Sequence, residues 1–139
     1  MITVVIDTCV IIDLLEKKEG AYEDAYKVIL AAAGDKIAGY ITAKTVSEVY
    51  CLTRQRTSKE ITKEIINKLI NILPIIDTLA ADCENALFTD MTDYDKSVLS
   101  ETAYRCGCEY IITRNIQNYS GSKVKAILPG EFLKLISNN

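Results

Sequence analysis

The chain has 139 residues, enough for one domain, and its 49% apolar residues can fill a core without disulfide or metal staples. A net charge of −3 gives no global attraction to nucleic acid, and the lack of histidine removes the usual general base and nitrogen metal ligand. Five cysteines, an odd number with no Cys-x-x-Cys pair, exclude a zinc-finger spacing and read as reduced thiols.

Residues 2–6 form a continuous β-branched run, as expected for a strand covered on both faces. Asp7 ends that run, and Asp7 or Thr8 can cap a helix over Cys9–Leu15. After the polar break at 17–20, Tyr22, Ala25, Tyr26, Ile29 and Leu30 recur at helical spacing within 21–33. Residues 37–41 read as a second strand and 42–54 as a helix that carries Glu48. Thr57 to Glu60 offers caps for a helix over 59–72, with Ile61, Ile65, Leu69 and Ile72 on one face. Pro74 breaks that helix before an extended piece at 75–77, and 79–88 reads as helical. A polar, acid-rich loop over 89–95 leads into a helix over 96–106, which ends near Gly107. Residues 109–113 form another strand, 115–123 a polar loop and 124–127 a last strand. Pro129, Gly130 and Glu131 open a terminal helix that runs through Ile136.

Cys9, Cys51 and Cys83 read as small core residues, and Cys106-Gly107-Cys108 as a helix end built around glycine. No repeat, linker, membrane-length apolar run or cleavable signal interrupts the pattern, so the expectation is a single cytoplasmic domain over 1–139. The alternation of strands and helices predicts an α/β fold with a mostly parallel central sheet. Ligands in such sheets sit beyond the carboxyl ends of strands, where Asp7 and the run Thr113-Arg114-Asn115 fall.

Four stretches are candidates for one site: Asp7; Glu48; Asp90, Asp93 and Asp95; and Thr113, Arg114 and Asn115. Oxygen ligands in this number suit Mg²⁺ or Mn²⁺, which can activate water and neutralise a phosphodiester transition state. Each member also has a plainer reading. Asp7 can simply cap its helix, Glu48 can face solvent, and the acids of 90–95 can form a solvated turn. Arg114 can be a surface charge and Asn115 a left-handed turn residue. The apolar neighbours Val46, Val49 and Leu52 argue that much of the Glu48 helix is buried.

The segments from Val5 through Asp7-Thr8 to Leu15, Ser47-Glu48-Val49-Tyr50, Asp93-Tyr94-Asp95, Tyr110 to Asn115, and Leu128 to Leu133 together resemble a PIN domain. The resemblance runs essentially end to end. It implies a three-layer α/β fold with about five strands, Mg²⁺- or Mn²⁺-dependent ribonuclease activity, and similarity to the virulence-associated protein C toxins of the Thr-Arg-Asn subgroup. The partners it implies are RNA, an antitoxin protein and a second copy of the chain, with no membrane. On that resemblance Asp7 and Glu48 match the first two acids, and Asp93 or Asp95 helps them, with Asp7, Glu48 and Asp95 as metal ligands. Lys96 falls where the third acid is expected, and Asn115 and Asn118 stand at later acidic positions. Lys96 then admits three readings: a neighbouring Asp replaces the carboxylate, the ammonium replaces part of the cation's charge, or Lys96 points to solvent and the site has decayed; the alternative function is a silent RNA- or protein-binding module. Lys96, Thr113, Arg114 and Asn115 would contact substrate or orient ligands. Lys17, Lys18, Arg54, Arg56, Lys123 and Lys125 are candidates to track an RNA backbone, and Tyr50, Tyr94 and Tyr119 to stack on bases.

Overall fold

The computed structural model describes residues 1–138. Five strands form one sheet: β1 (Thr3–Ile6), β2 (Ala38–Thr42), β3 (Ile75–Ile76), β4 (Tyr110–Ile112) and β5 (Lys125–Ile127). Their order is β3-β2-β1-β4-β5, and every pairing is parallel. The described residues also form seven α-helices, α1 (Thr8–Leu15), α2 (Tyr22–Ala33), α3 (Ala43–Arg54), α4 (Lys59–Ile72), α5 (Ala80–Ala86), α6 (Tyr94–Arg105) and α7 (Pro129–Ser137), and a 3-10 turn at Ile116–Tyr119. The predicted α/β class is the observed one.

Side chains of β1 alternate between two cores, as the period of a strand requires. Val4 and Ile6 enter the larger core with α1, α2, α3, α4 and Phe132 of α7. Val5 enters the smaller one with Leu99, Ala103, Ile111 and Tyr119. Both faces are therefore covered, which explains the unbroken apolar run at the start of the chain. Each fully buried Ile or Phe contributes about 1.5–3 kcal/mol relative to exposure.

The chain leaves β1 for β2 on one side and reaches β4 on the other only after residue 109, so the strand order reverses at β1. That reversal opens a crevice beyond the carboxyl ends of β1 and its neighbours. The helix starts there are set by side-chain caps. Asp7 accepts from the Thr8 amide, Thr42 from that of Thr45 and Asp93 from that of Lys96.

Two expectations are corrected. The buried stripe of α4 is Thr62, Ile66 and Leu69, running on to Leu73, while Ile61 is 49% exposed. Thr62 can enter the core because its hydroxyl donates to the Ser58 carbonyl at 2.8 Å. Cys51 and Cys83 are exposed rather than core residues, and Cys9 is half-buried. Cys51 sits two positions past the buried Val49, on the opposite side of α3. The glycine-centred end of α6 is present, with Cys106 as cap and Gly107 at φ +74°.

Candidate functional site

The crevice holds a cavity of about 200 Å³ whose wall includes Asp7, Thr8, Lys44, Thr45, Glu48, Asp93, Asp95 and Lys96. Four carboxylates from three separated segments thus meet two ammonium groups. Asp90 stays outside this wall, on the exposed loop before α6.

Asp7 is the buried member, at 3% exposure. Its oxygen Oδ1 accepts from the Thr8 amide at 2.9 Å and from Lys96 Nζ at 3.2 Å. Oδ2 accepts from Lys96 Nζ at 3.1 Å, the Thr113 hydroxyl at 2.9 Å and the Tyr119 phenol at 3.0 Å. Every favourable lone-pair direction of this carboxylate is in use. Burial, then the charge of Asp7 and the hydrogen bond to it, push the Tyr119 phenol well above its ordinary range, so it remains a donor. Thr113 is held in turn by the Asn115 amide, which donates to its hydroxyl at 3.0 Å.

Glu48 stands differently. Its side chain is 44% exposed and lies 3.6 Å from Lys44 Nζ, one helical turn earlier. Lys44 bridges onward to Asp95 at 2.8 Å. Partial burial pulls the Lys44 ammonium down. The hydrogen bond to Asp95 and the charges of Glu48 and Asp95 outweigh that, and the net displacement is upward. Thr8 links the two halves: its hydroxyl shares a 2.8 Å hydrogen bond with Thr45 and donates to Glu48 at 3.4 Å.

Asp7, Glu48, Asp93, Asp95 and Lys96 therefore converge, and Thr113 reaches Asp7 from beneath. Arg114 does not join them. It turns to the other side of α1 and clamps buried Asp13 with two nitrogens, at 2.8 and 3.1 Å. Asn115 contributes its backbone amide at the start of the 3-10 turn Ile116–Tyr119. Tyr119 is buried and cannot stack on a base. Tyr94 is half exposed, with its phenol donating to the Cys83 carbonyl, and Tyr50 packs against the larger core. Of the candidate basic residues, Arg56 pairs with Glu16 and Lys123 with Glu101. Sequence reasoning missed Lys44, although its position four residues before Glu48 was a readable signal. It gave Thr8 only as a helix cap and as part of the Asp7-Thr8 motif, and it missed Thr45, for which no sequence signal exists.

The donor set as arranged does not fit a divalent cation. Asp7 offers no free lone pair, and Glu48 and Asp95 share Lys44. Among the described residues no group of three or more His, Cys, Asp or Glu side chains is placed to hold a metal ion.

The family model described as PIN domain matches residues 3–117, the span that carries β1 through β4 and every acid of the cleft. The chain belongs to the PIN domain family. No curated protein matches the sequence. Solved structures of similar fold include a toxin–antitoxin complex from Klebsiella pneumoniae, with a TM-score of 0.69 and 19% identity over 91% of this chain and 97% of that one. DNA-bound VapBC from Salmonella typhimurium gives 0.67 and 16%, over 93% and 99%. FitAcB from Neisseria gonorrhoeae gives 0.67 and 16%, over 91% and 98%. At these identities the likeness establishes the fold of this PIN domain. Among its described residues no helix is long and apolar enough to cross a membrane.

Proposed function

We propose that this PIN domain is a ribonuclease of the toxin–antitoxin kind, cleaving RNA phosphodiester bonds in the cleft beyond β1. The observation that carries the reading is the meeting of Asp7, Glu48, Asp93 and Asp95 in one crevice at the point where the strand order reverses. Family membership supports the same reading, as do the toxin–antitoxin complexes of like fold. In this cleft Glu48, unlike Asp7, has room to work. It is exposed enough to orient a water or ribose hydroxyl and take its proton. Lys44 beside it sets a positive charge where a phosphate would lie. Asp7 holds the floor of the site through its donors rather than acting as a base. An antitoxin is the protein partner, and a second copy of the chain belongs to the same reading.

The test is incubation of the folded chain with RNA, in buffer with Mg²⁺ or Mn²⁺ and in buffer with chelator. Wild type is expected to produce fragments, and Glu48→Gln to lower the rate by about 10²–10⁴-fold. Intact RNA in both buffers would overturn the hydrolytic reading.

One observation favours a second reading, a silent module that binds RNA or protein. The ammonium of Lys96 sits on both oxygens of Asp7. Retention of RNA without cleavage, measured by gel shift, would select that reading.

A further inference from the structure

We infer that Lys96 and Lys44 are resident counter-ions that stand in for a divalent cation, so that the native cleft binds neither Mg²⁺ nor Mn²⁺. The inference concerns the cleft of the proposed ribonuclease, but its test contains no RNA. The two therefore stand or fall separately.

The argument begins with charge. Asp7 is 3% exposed, and a lone carboxylate at that depth would be strongly disfavoured without a positive partner. Lys96 supplies one from the first turn of α6. The Asp93 cap fixes the start of that helix, and Lys96 Nζ reaches both oxygens of Asp7. The same ammonium lies 5.7 Å from the centre of the Tyr119 ring, so that ring neighbours the cation as its hydroxyl serves the anion. The Lys96 side chain is 23% exposed, which leaves the ion pair mostly shielded from water.

Lys44 does the corresponding work at the mouth. It lies between Glu48 and Asp95, two acids that a hard cation would otherwise bridge. A divalent ion entering this cleft would have to expel one ammonium from a buried carboxylate and a second from an exposed pair. It would also have to displace the Thr113 and Tyr119 hydroxyls from Oδ2, or compete for the Oδ1 directions used by Thr8 and Lys96. Mg²⁺ takes near-ideal octahedral geometry, and this carboxylate has no vacant direction to offer it. The lysines also differ from a metal in chemistry. An ammonium balances charge, but it does not make a bound hydroxide at neutral pH.

The test is Mn²⁺ alone, followed by calorimetry and by loss of the free-ion electron paramagnetic resonance signal. Wild type is expected to bind no Mn²⁺ at millimolar concentration, and its thermal midpoint should not move with the metal. Lys96→Asp removes the counter-ion and adds an oxygen donor. It should bind Mn²⁺ at least about tenfold more tightly than wild type, with a midpoint that rises as metal is added. Adding Asp7→Asn to that variant should erase the gain, which places the ion in the cleft. Should Lys96→Asp fail to fold, Lys96→Asn removes the same charge and carries the same expectation. Millimolar binding by wild type would overturn the inference. So would a folded Lys96 variant with no gain, since Lys96 would then not be what excludes the ion.

Discussion

The phenol of Tyr119 donates to the Asp7 carboxylate at 3.0 Å, joining two residues 112 positions apart in the chain. The contact is buried at both ends. Tyr119→Phe keeps the ring and removes one of the three donors to Oδ2. The expected cost is about 1–2 kcal/mol, because the remaining donors keep that oxygen satisfied. Urea unfolding of the two proteins measures it.

Asp82 gives a prediction in pH. Burial by itself would raise its carboxyl. The Arg105 guanidinium, the Leu79 amide and the Thr102 hydroxyl outweigh that, and the group is held below the ordinary range. A folded value below the unfolded one of about 3.9 means that the contribution is complete above that pH and is lost as pH falls through the folded value. Because Arg105, left behind by Asp82→Asn, is a third exposed and can be solvated, that variant should cost about 1–2 kcal/mol at pH 7. The gap between wild type and variant should stay level down to about pH 5 and narrow below about pH 4. Denaturant titrations across that range give the profile.

Arg114 is predicted to matter for folding and not for RNA. Its two-pronged pair with Asp13 holds it outside the wall of the acidic cleft, and the hydrogen bond to Asp13 is what chiefly raises its guanidinium. Arg114→Ala strands a carboxylate that is only 4% exposed. Because Arg114 itself is 40% exposed at its side chain, the cost is set at about 2 kcal/mol rather than that of a fully buried pair. RNA affinity of the folded fraction should not change, which a gel shift at low temperature checks.

Gly39 tests packing on β2, the strand beside the central β1. A Cβ there would lie 2.9 Å from Leu73 Cδ2 and 3.2 Å from Ala32 Cβ. Leu73 is fully buried and has little room to withdraw. Gly39→Ala should destabilise by about 1–3 kcal/mol through overpacking and lower the thermal midpoint.

Much of this architecture was readable because its causes are local. The β-branched run before Asp7 requires two covered faces, and Ser58 and Pro129 mark helix starts by well-understood chemistry. The convergence of Asp7 and Glu48 was legible because each lies near the carboxyl end of a strand or the helix that follows one. Orientation was not legible. Nothing in Thr113-Arg114-Asn115 says that the first side chain turns in and the second turns out towards Asp13. The burial of Tyr119, the rotated stripe of α4 and the exposure of Cys51 also depend on packing between distant elements. The apolar neighbours of Glu48 point to a largely buried helix, yet it and Leu52 are both exposed, because the buried side of α3 is the narrow one that carries Thr45 and Val49.

Among the five strands of the sheet, the earliest in sequence is enclosed late. β1 lies at the middle of the sheet, and the neighbour on its second side is β4, beginning at Tyr110. Three of the groups that hold Asp7, namely Lys96, Thr113 and Tyr119, come from the last third of the chain. During synthesis the acid at position 7 therefore stays unassembled until the segment through Tyr119 has emerged, and a product that stops short of it carries no finished cleft.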